Sequence, residues 1–158
     1  MKNVFITGGG GQDGLILSKI IKKKKKFNLN IILKKKSSFK LKGANYFINN
    51  LQEPKLVDQI FSKIKPDIIV HLGSNNPSYQ EKSFNKFYLE NIKSTINIFE
   101  SSYKFNKKIH FIFASSSQVF KKKKGTVNEF SKKKINRDYV RFRVEIDRKL
   151  SKKKNKLH

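Results

Sequence analysis

The chain has 158 residues, which is enough for one domain with a buried core. It contains no cysteine, so disulfide frameworks and thiolate metal sites are excluded, and we assign no metal ligands. No apolar run reaches membrane-spanning length and no signal-peptide pattern precedes the first strand, so we expect a cytoplasmic protein without a membrane partner.

The formal net charge of +26 comes largely from blocks of consecutive lysines. One interpretation is a basic surface that binds nucleic acid through phosphate contacts. The other is compositional: arginine is scarce, and no aromatic residues alternate with basic ones for base stacking. We favour the compositional interpretation, under which contact with nucleic acid is non-specific.

The first stretch of the chain predicts a phosphate-binding turn. Residues 4–6 form an apolar strand, glycines follow at positions 8, 11 and 14, and an apolar helical pattern starts at Leu15. Strand, glycine turn and helix are the context of a dinucleotide-binding fingerprint. Gly8 can adopt angles that a side chain forbids, Gly11 permits close approach of a pyrophosphate, and Gly14 permits tight helix packing. The alternative is a flexible surface loop.

The second predicted strand, residues 29–33, bears on the choice of cofactor. Chains that select the 2′-hydroxyl of NAD usually carry Asp or Glu at this strand end, whereas a basic residue accommodates a 2′-phosphate. Here Lys34 and Lys35 follow the strand, without a carboxylate. The pattern favours NADP over NAD, unless these lysines are simply another lysine block.

The rest of the chain alternates strands with helices. Proline suits the first turn of a helix and ends the preceding one, which brackets a helix between Pro54 and Pro66. Further strands are predicted at residues 44–48, 67–72 and 109–114, and further helices over residues 82–103 and from Tyr139. We therefore predict an α/β fold with a doubly wound parallel sheet over residues 1–150, and a polar tail at residues 151–158.

Three side chains after the fifth predicted strand could carry chemistry. Ser116 follows that strand directly, and Tyr139 and Arg143 are four residues apart on one face of a helix. A cation beside a tyrosine lowers the phenol pKa, so the phenolate could take a proton from a sugar hydroxyl. The alternative is a tyrosine on the helix surface beside a solvated arginine.

Together these residues resemble the extended short-chain dehydrogenase/reductase family, the NAD(P)-dependent nucleotide-sugar epimerases and dehydratases. The resemblance rests on four segments: Thr7-Gly8-x-x-Gly11-x-x-Gly14, Pro66-Asp67 leading to His71-Leu72-Gly73, Asn91 with Ser94-Thr95, and residues 115–120. Within the family, Gly11-Gln12-Asp13-Gly14 and residues 34–39 look most like the GDP-mannose 4,6-dehydratases. The resemblance implies a Rossmann fold, a tightly held NADP, a nucleotide-sugar substrate such as GDP-mannose, and a homodimer paired through the tyrosine-bearing helix.

The resemblance also implies roles for individual positions. Ser116, Tyr139 and Arg143 fall on the catalytic Ser/Thr, tyrosine and lysine, and Gln118 falls on the dehydratase glutamate. The positions implied in cofactor binding are Gly8, Gly11, Gln12, Asp13 and Gly14 at the pyrophosphate, Lys34 and Lys35 at the 2′-phosphate, Asn50 and Leu51 at the adenine, and Leu72, Gly73 and Ser74 beside the nicotinamide.

The chain departs from the family pattern at several of these positions. Arg143 replaces a lysine, Gln118 replaces a proton-shuttling glutamate, and Asn50 replaces an aspartate. The resemblance covers only the N-terminal half of a family member, so the sheet is expected to be incomplete at its C-terminal end. Three hypotheses follow: a shortened nucleotide-sugar dehydratase or epimerase, a non-catalytic NADP-binding module, and a basic nucleic-acid-binding protein.

Overall fold

The structure, a computed structural model, describes residues 1–34, 40–75, 84–121, 125–135 and 138–156. Within the helices, its description of side chains leaves out residues 84–86, 138–139 and 154–156. Five strands are present: β1 (Lys2–Thr7), β2 (Phe27–Leu33), β3 (Asn45–Ile48), β4 (Ile68–His71) and β5 (His110–Phe113). The four α-helices are α1 (Gln12–Lys22), α2 (Pro54–Ile64), α3 (Phe84–Phe105) and α4 (Asp138–Lys156), and a short 3-10 helix covers Ser117–Val119.

The strands form one parallel sheet in the order β3-β2-β1-β4-β5. Thr7, the last residue of β1, pairs with Ile32 on one side and with His71 on the other, so neighbouring strands end at the same level. The strand order reverses direction at β1, as a doubly wound sheet requires. The predicted α/β fold class is therefore confirmed.

Both faces of the sheet carry buried apolar side chains, because residues 4–6 of β1 are apolar in succession. Alternate residues of a strand point to opposite faces. Val4 and Ile6 share one cluster with Leu29 and Ile31, and the α1 residue Leu17 packs against this cluster. On the other face, Phe5 meets Phe61 of α2 edge to face, with ring centroids 4.8 Å apart. Each of the fully buried side chains in these contacts stabilises the fold by about 1.5–3 kcal/mol relative to exposure, whereas Leu17 is only partly buried.

The boundaries of α2 show how local sequence sets helix length. Pro54 occupies the first turn, where its missing N–H is not needed. Lys65 adopts a left-handed conformation with φ 48° and donates its N–H to the Phe61 carbonyl, and Pro66 then prevents the helix from continuing. Both predicted ends of this helix are confirmed.

The chain divides into two compact units. The sheet unit contains Met1–Ser74 and Asn97–Ala114, and the α4 unit contains Asn75–Ile96 and Ser115–His158. Helix α4 continues to Lys156, so the segment from Ser151, which we expected to be a polar tail, is helical over residues 151–156. The boundary at residue 150 stays a prediction. Among the helices that the structure describes, none has the length and apolar character needed to span a bilayer.

Candidate functional site

The glycine turn joins β1 to α1 in the sheet unit. Gly8 has φ +71°, and a Cβ there would lie 2.7 Å from the backbone nitrogen of Gly73. A Cβ on Gly14 would lie 2.4 Å from the Gly8 carbonyl oxygen, so this helix packs against the turn at a distance that only glycine permits. The predicted conformational reason for Gly8 is therefore confirmed. Gly14 does permit tight helix packing, but the close approach is to the turn, whereas the fingerprint predicts an approach to the strand.

Gly11 differs from its neighbours because the chain itself leaves room around it. The nearest atom to a Cβ at this position would be the Gly8 carbonyl oxygen at 3.4 Å. Gly11 caps α1 in an extended conformation without a side-chain cap, and it is exposed together with Gln12 and Asp13. The N–H groups of a first helical turn have no partner within the helix and attract anions. The turn therefore has the open backbone surface that a phosphate needs.

A further glycine at this turn was not singled out from the sequence. Gly9 is buried, and a Cβ there would lie 2.3 Å from the Cγ2 atom of Ile31. Glycine is needed at this position because a side chain would collide with Ile31 on the neighbouring strand β2. The run of glycines at positions 8–11 was the signal available, but it could not show which neighbour each glycine approaches.

Thr7 and His71 connect the C-terminal ends of β1 and β4. The Thr7 side-chain oxygen lies 2.6 Å from Nδ1 of His71 and accepts the Gly73 N–H at 3.0 Å. Thr7 is 0 % exposed and His71 is 1 % exposed. The hydroxyl has one proton and two lone pairs, so it can accept from Gly73 and also form a hydrogen bond with Nδ1, whose direction depends on the tautomer of His71. The pair fixes the start of the segment Leu72, Gly73 and Ser74.

His71 also lies among aromatic rings. Its ring stacks on Phe113 with centroids 5.9 Å apart and is 6.3 Å from the ring centroid of Phe111. Its backbone oxygen accepts the N–H of Ala114. These contacts fit a structural role for His71.

The ends of β2 and β3 carry the positions expected near the adenosine half of a cofactor. Lys34 is exposed directly after β2, and Lys35 lies outside the described residues. Asn50 is exposed after β3, and its side-chain oxygen accepts the N–H of Gln52 at 3.2 Å. The carbonyl of Leu51 accepts a hydrogen bond from Asn97 at 3.2 Å. Both segments follow the C-terminal ends of their strands.

The predicted cofactor residues that the structure describes therefore share one edge of the sheet. Each group follows the C-terminal end of its own strand, and those strands are neighbours. In order across the sheet they are Asn50 and Leu51 after β3, Lys34 after β2, Gly8, Gly11, Gln12, Asp13 and Gly14 after β1, and Leu72, Gly73 and Ser74 after β4. Open parallel sheets bind ligands at this edge.

The predicted catalytic residues belong to the α4 unit. Ser116 caps the 3-10 helix and accepts the N–H of Gln118 at 3.2 Å. Val119 then packs against Val140 and Val144 of α4, which fixes the serine segment against the first turns of that helix. The side chain of Gln118 is exposed. Tyr139 is the second residue of α4, and its side chain lies outside the described residues.

Arg143 is buried rather than solvated. The residue is 6 % exposed, and its guanidinium lies 5.8 Å from the ring centroid of Phe142. The alternative of a solvated arginine is therefore wrong. Arginines are rarely this buried unless their charge has a specific task or partner. A buried guanidinium one helical turn after Tyr139 retains the charge that the proton-transfer hypothesis requires.

A second polar group in the α4 unit links α3 to α4. Tyr88 donates a hydrogen bond to Glu145, and the guanidinium of Arg141 lies 5.4 Å from the Tyr88 ring centroid. Burial and the hydrogen bond to Glu145 raise the pKa of Tyr88, and the same hydrogen bond lowers the pKa of Glu145. Lys149 forms an ion pair with Glu145 at 3.2 Å. The spacing of residues 141, 145 and 149 on one helix face was the available signal.

Asn91 holds the backbone of Asn75, the first residue of the α4 unit. Its side-chain oxygen accepts the Asn75 N–H at 2.7 Å, and its side-chain nitrogen donates to the Asn75 carbonyl at 2.9 Å. Asn91 is 6 % exposed. The sequence marked Asn91 as part of the family pattern but did not indicate what it binds. Among the described residues, no group of three or more His, Asp or Glu side chains could hold a metal ion.

Comparison with known proteins adds a family match. Residues 4–150 match the sequence profile of the NAD dependent epimerase/dehydratase family. No curated protein matches the sequence.

Solved structures with the same fold include the UDP-Glc/GlcNAc 4-epimerase from Campylobacter jejuni, with a TM-score of 0.82 and 20 % identity over 99 % of this chain and 51 % of that one. The UDP-glucose 4-epimerase from Brucella ovis in complex with NAD has a TM-score of 0.84 and 15 % identity over 96 % of this chain and 47 % of that one. The dTDP-glucose 4,6-dehydratase from Bacillus anthracis in complex with NAD has a TM-score of 0.78 and 17 % identity over 97 % of this chain and 51 % of that one. The chain thus spans about half the length of these structures.

Proposed function

Since the chain belongs to the NAD dependent epimerase/dehydratase family, we propose that the C-terminal edge of its sheet binds NADP for hydride transfer at C4 of a nucleotide sugar. The observation that carries the proposal is the single edge shared by the glycine turn and the segments after β2, β3 and β4. A dinucleotide is long enough to need all of these segments. Its pyrophosphate belongs at the N-terminus of α1.

Gly11 is the position that best supports a bound phosphate. Its glycine identity is not explained by any close neighbour in the chain, since the nearest atom to a Cβ would be 3.4 Å away. A ligand that approaches the backbone closely explains the glycine instead. The exposed Gln12 and Asp13 follow on the first turn of α1.

The preference for NADP rests on Lys34. This exposed lysine follows β2, where a carboxylate would favour the 2′-hydroxyl of NAD. Solved structures of the same fold from Bordetella bronchiseptica and Brucella ovis contain NAD, so the two dinucleotides must be compared directly. We expect Lys34→Glu to weaken NADP binding, because it reverses the charge facing the 2′-phosphate, and to leave NAD binding unchanged or tighter, because a carboxylate here can accept a hydrogen bond from the 2′-hydroxyl.

The α4 unit supplies the groups for proton transfer. When bound, a nicotinamide would supply the hydride chemistry. The Tyr139 phenolate takes the proton of the sugar C4 hydroxyl, and Ser116 holds that hydroxyl by a hydrogen bond. The buried charge of Arg143 favours the phenolate form of Tyr139. The homodimer that we predict is proposed to pair through α4, the helix that carries these residues.

We propose GDP-mannose or a similar nucleotide sugar as the substrate, because Gly11-Gln12-Asp13-Gly14 resembles the corresponding turn of the GDP-mannose 4,6-dehydratases. Water elimination needs a group that moves a proton, and the amide of Gln118 cannot do so. We therefore expect Gln118→Glu to add dehydratase activity to a chain that otherwise carries out only C4 oxidation and reduction.

The alternative is a non-catalytic NADP-binding module. One observation favours it: Arg143 is a planar, buried guanidinium where the family pattern has a point-charge lysine. Transfer of deuteride from labelled NADPH to an oxidised nucleotide sugar separates the two functions. Incorporation of label supports the enzyme, whereas binding without transfer, unchanged by Arg143→Lys with Gln118→Glu, supports the module.

The cofactor site is tested by Gly11→Ala against Gly10→Ala. Both added methyl groups have a nearest neighbour at 3.4 Å, so both variants fold, but only Gly11 is predicted to meet the pyrophosphate. Calorimetric titration should show NADP affinity reduced about tenfold or more for Gly11→Ala, equivalent to about 1.4 kcal/mol. Gly10→Ala should bind within about twofold of the native chain. Equal NADP affinities in the two variants would show that the pyrophosphate does not bind at this turn.

A further inference from the structure

The edge of the sheet opposite the cofactor edge collects exposed lysines. In a parallel sheet every connecting helix runs back against the strands, so helices end where strands begin. The lysines at the starts of β1, β2, β4 and β5 are Lys2, residues 22–26, Lys63, Lys65, Lys107 and Lys108, ten in all, and each is exposed. We call this set the strand-start lysines. All of them belong to the sheet unit.

Hydrogen bonds hold these segments side by side. Lys2 donates its N–H to the Lys26 carbonyl at 3.1 Å. The side chain of Asn3 donates to the Ile64 carbonyl at 2.7 Å, and the side chain of Asn106 donates to the Pro66 carbonyl at 3.1 Å. The four lysine-bearing connections therefore form one continuous surface. Four neighbouring strands are separated by three spacings of roughly 4.8 Å, which amount to about 14 Å.

The charge of this surface is not neutralised within the sheet unit. The acidic residue within these connections is Asp67, whose carboxylate already accepts the Asn3 N–H at 2.7 Å. None of the strand-start lysines forms an ion pair with another described residue. Helix C-termini attract cations, but a macrodipole amounts to about half a charge per helix. Three helix ends account for one or two of these lysines and leave a large surplus.

We propose that the strand-start lysines bind the phosphate backbone of double-stranded DNA without reading its sequence. About 14 Å of duplex carries roughly eight phosphate charges, which is close to the number of lysines. Lysine acts as a point charge toward phosphate and lacks the forked geometry with which arginine reads guanine. The proposal does not depend on the cofactor site, which lies at the other end of the strands.

Other polyanions fit this surface less well. Bases of single strands stack on exposed aromatic rings, but Phe27 and Phe105 are half-buried, and Lys26 and Lys104 already lie over their rings at 5.3 and 5.4 Å. Membrane surfaces bind helices that also insert apolar side chains. Among the described residues of these connections, Met1 is the exposed large apolar residue, which is too little apolar surface for insertion into a membrane. Duplex RNA is recognised partly through its 2′-hydroxyls, whereas the amides of Asn3 and Asn106 are engaged within the protein.

The first test is a salt titration of binding to a duplex of random sequence. The edge variant carries Gln at Lys23, Lys24, Lys25, Lys107 and Lys108. The control variant carries Gln at Lys55, Lys93, Lys121, Lys132 and Lys152, which are also exposed but lie outside the strand starts. Both variants lose the same charge. Fluorescence anisotropy at about 0.15 M salt should show affinity reduced about tenfold or more in the edge variant, and the slope of log affinity against log salt smaller by about 1 for each lysine that meets a phosphate.

The control variant should lose much less of both quantities. Equal losses in the two variants would show diffuse attraction by net charge and would overturn the proposal. Tighter binding to an RNA duplex of equal length, to a single strand, or to vesicles containing phosphatidylserine would also overturn it.

A second measurement needs no substitution. Lysine acylation of the native chain, read by mass spectrometry with and without duplex, should show protection of Lys23, Lys24, Lys25, Lys107 and Lys108. The control lysines should react equally in both samples. Protection that is uniform along the chain, or confined to the control lysines, would contradict the assignment.

Discussion

Gly73 donates its backbone N–H to the side-chain oxygen of Thr7 across 3.0 Å. The bond joins the residue that precedes the glycine turn to the segment after β4, and His71 lies 2.6 Å from the same oxygen. One buried hydroxyl thus fixes two of the segments that we assign to the cofactor. Removal of this hydroxyl should therefore lower the free energy of unfolding of the protein even without a ligand.

Thr7→Val should lower the free energy of unfolding by about 1–3 kcal/mol, because it leaves the Gly73 N–H and His71 Nδ1 buried without their partner. Urea denaturation followed by circular dichroism measures this change. Thr7→Ser keeps the hydroxyl and should lose less. A value for Thr7→Val within 0.5 kcal/mol of the native chain, on the order of an ordinary surface substitution, would show that this oxygen does not hold the two strand ends.

Gly14→Ala should destabilise the fold without any ligand present. Its Cβ would meet the backbone of Gly8 at 2.4 Å and of Gly9 at 2.6 Å, and backbone cannot move aside as a side chain can. Overpacking of this kind costs about 1–3 kcal/mol. Gly10→Ala is the control, because its nearest neighbour is the flexible end of Leu33 at 3.4 Å. The midpoint of thermal unfolding of Gly14→Ala should lie well below that of Gly10→Ala. Equal midpoints would contradict the close packing of α1 on the glycine turn.

The bond from Tyr88 to Glu145 should make stability depend on pH at both ends of the scale. The pKa of Glu145 is lowered from its usual value of 4.5, so its contribution is present above that value and is lost as pH falls through the folded-state pKa. The pKa of Tyr88 is raised from 10.0, so the neutral phenol's contribution is present below that value and is lost as pH rises through the folded-state pKa.

Tyr88→Phe tests this dependence. The variant should be less stable than the native chain by about 1 kcal/mol near pH 7, since one hydrogen bond to a partly exposed carboxylate is removed. The difference should shrink as pH falls below 4.5 and the carboxylate is protonated. Urea unfolding of both chains at about pH 3 and about pH 7 measures this difference in the free energy of unfolding. If the difference is the same at both pH values, the hydrogen bond between Tyr88 and Glu145 does not contribute to stability.

Added salt should stabilise the native chain. Ten exposed strand-start lysines repel one another over distances that salt screens, with a Debye length of about 10 Å at 0.1 M and 3 Å at 1 M. The midpoint of thermal unfolding should therefore rise between these concentrations of sodium chloride. The rise should be smaller in the five-glutamine edge variant than in the matched control variant. An equal rise in both would mean that the repulsion is spread over the whole chain.

The sequence predicted the elements well because their signals are local. Pro54, Pro66 and the apolar runs determine where helices and strands begin and end without reference to the rest of the fold. The requirement for Gly9 was missed because it comes from Ile31 on another strand. The Tyr88–Glu145 bond was missed because its partners are 57 positions apart in sequence. The burial of Arg143 was likewise missed, since charge alone favours exposure and only the packed helix shows otherwise.

The most direct measurement is a map of backbone amide chemical shifts as NADP is added to the native chain, whose mass is 18.5 kDa. We predict that shifts concentrate at Gly8, Gly11, Gln12, Asp13 and Gly14, with smaller changes at Lys34 and at Leu72, Gly73 and Ser74. Shifts confined to the strand-start lysines, or no saturable shifts, would contradict a dinucleotide site at the glycine turn.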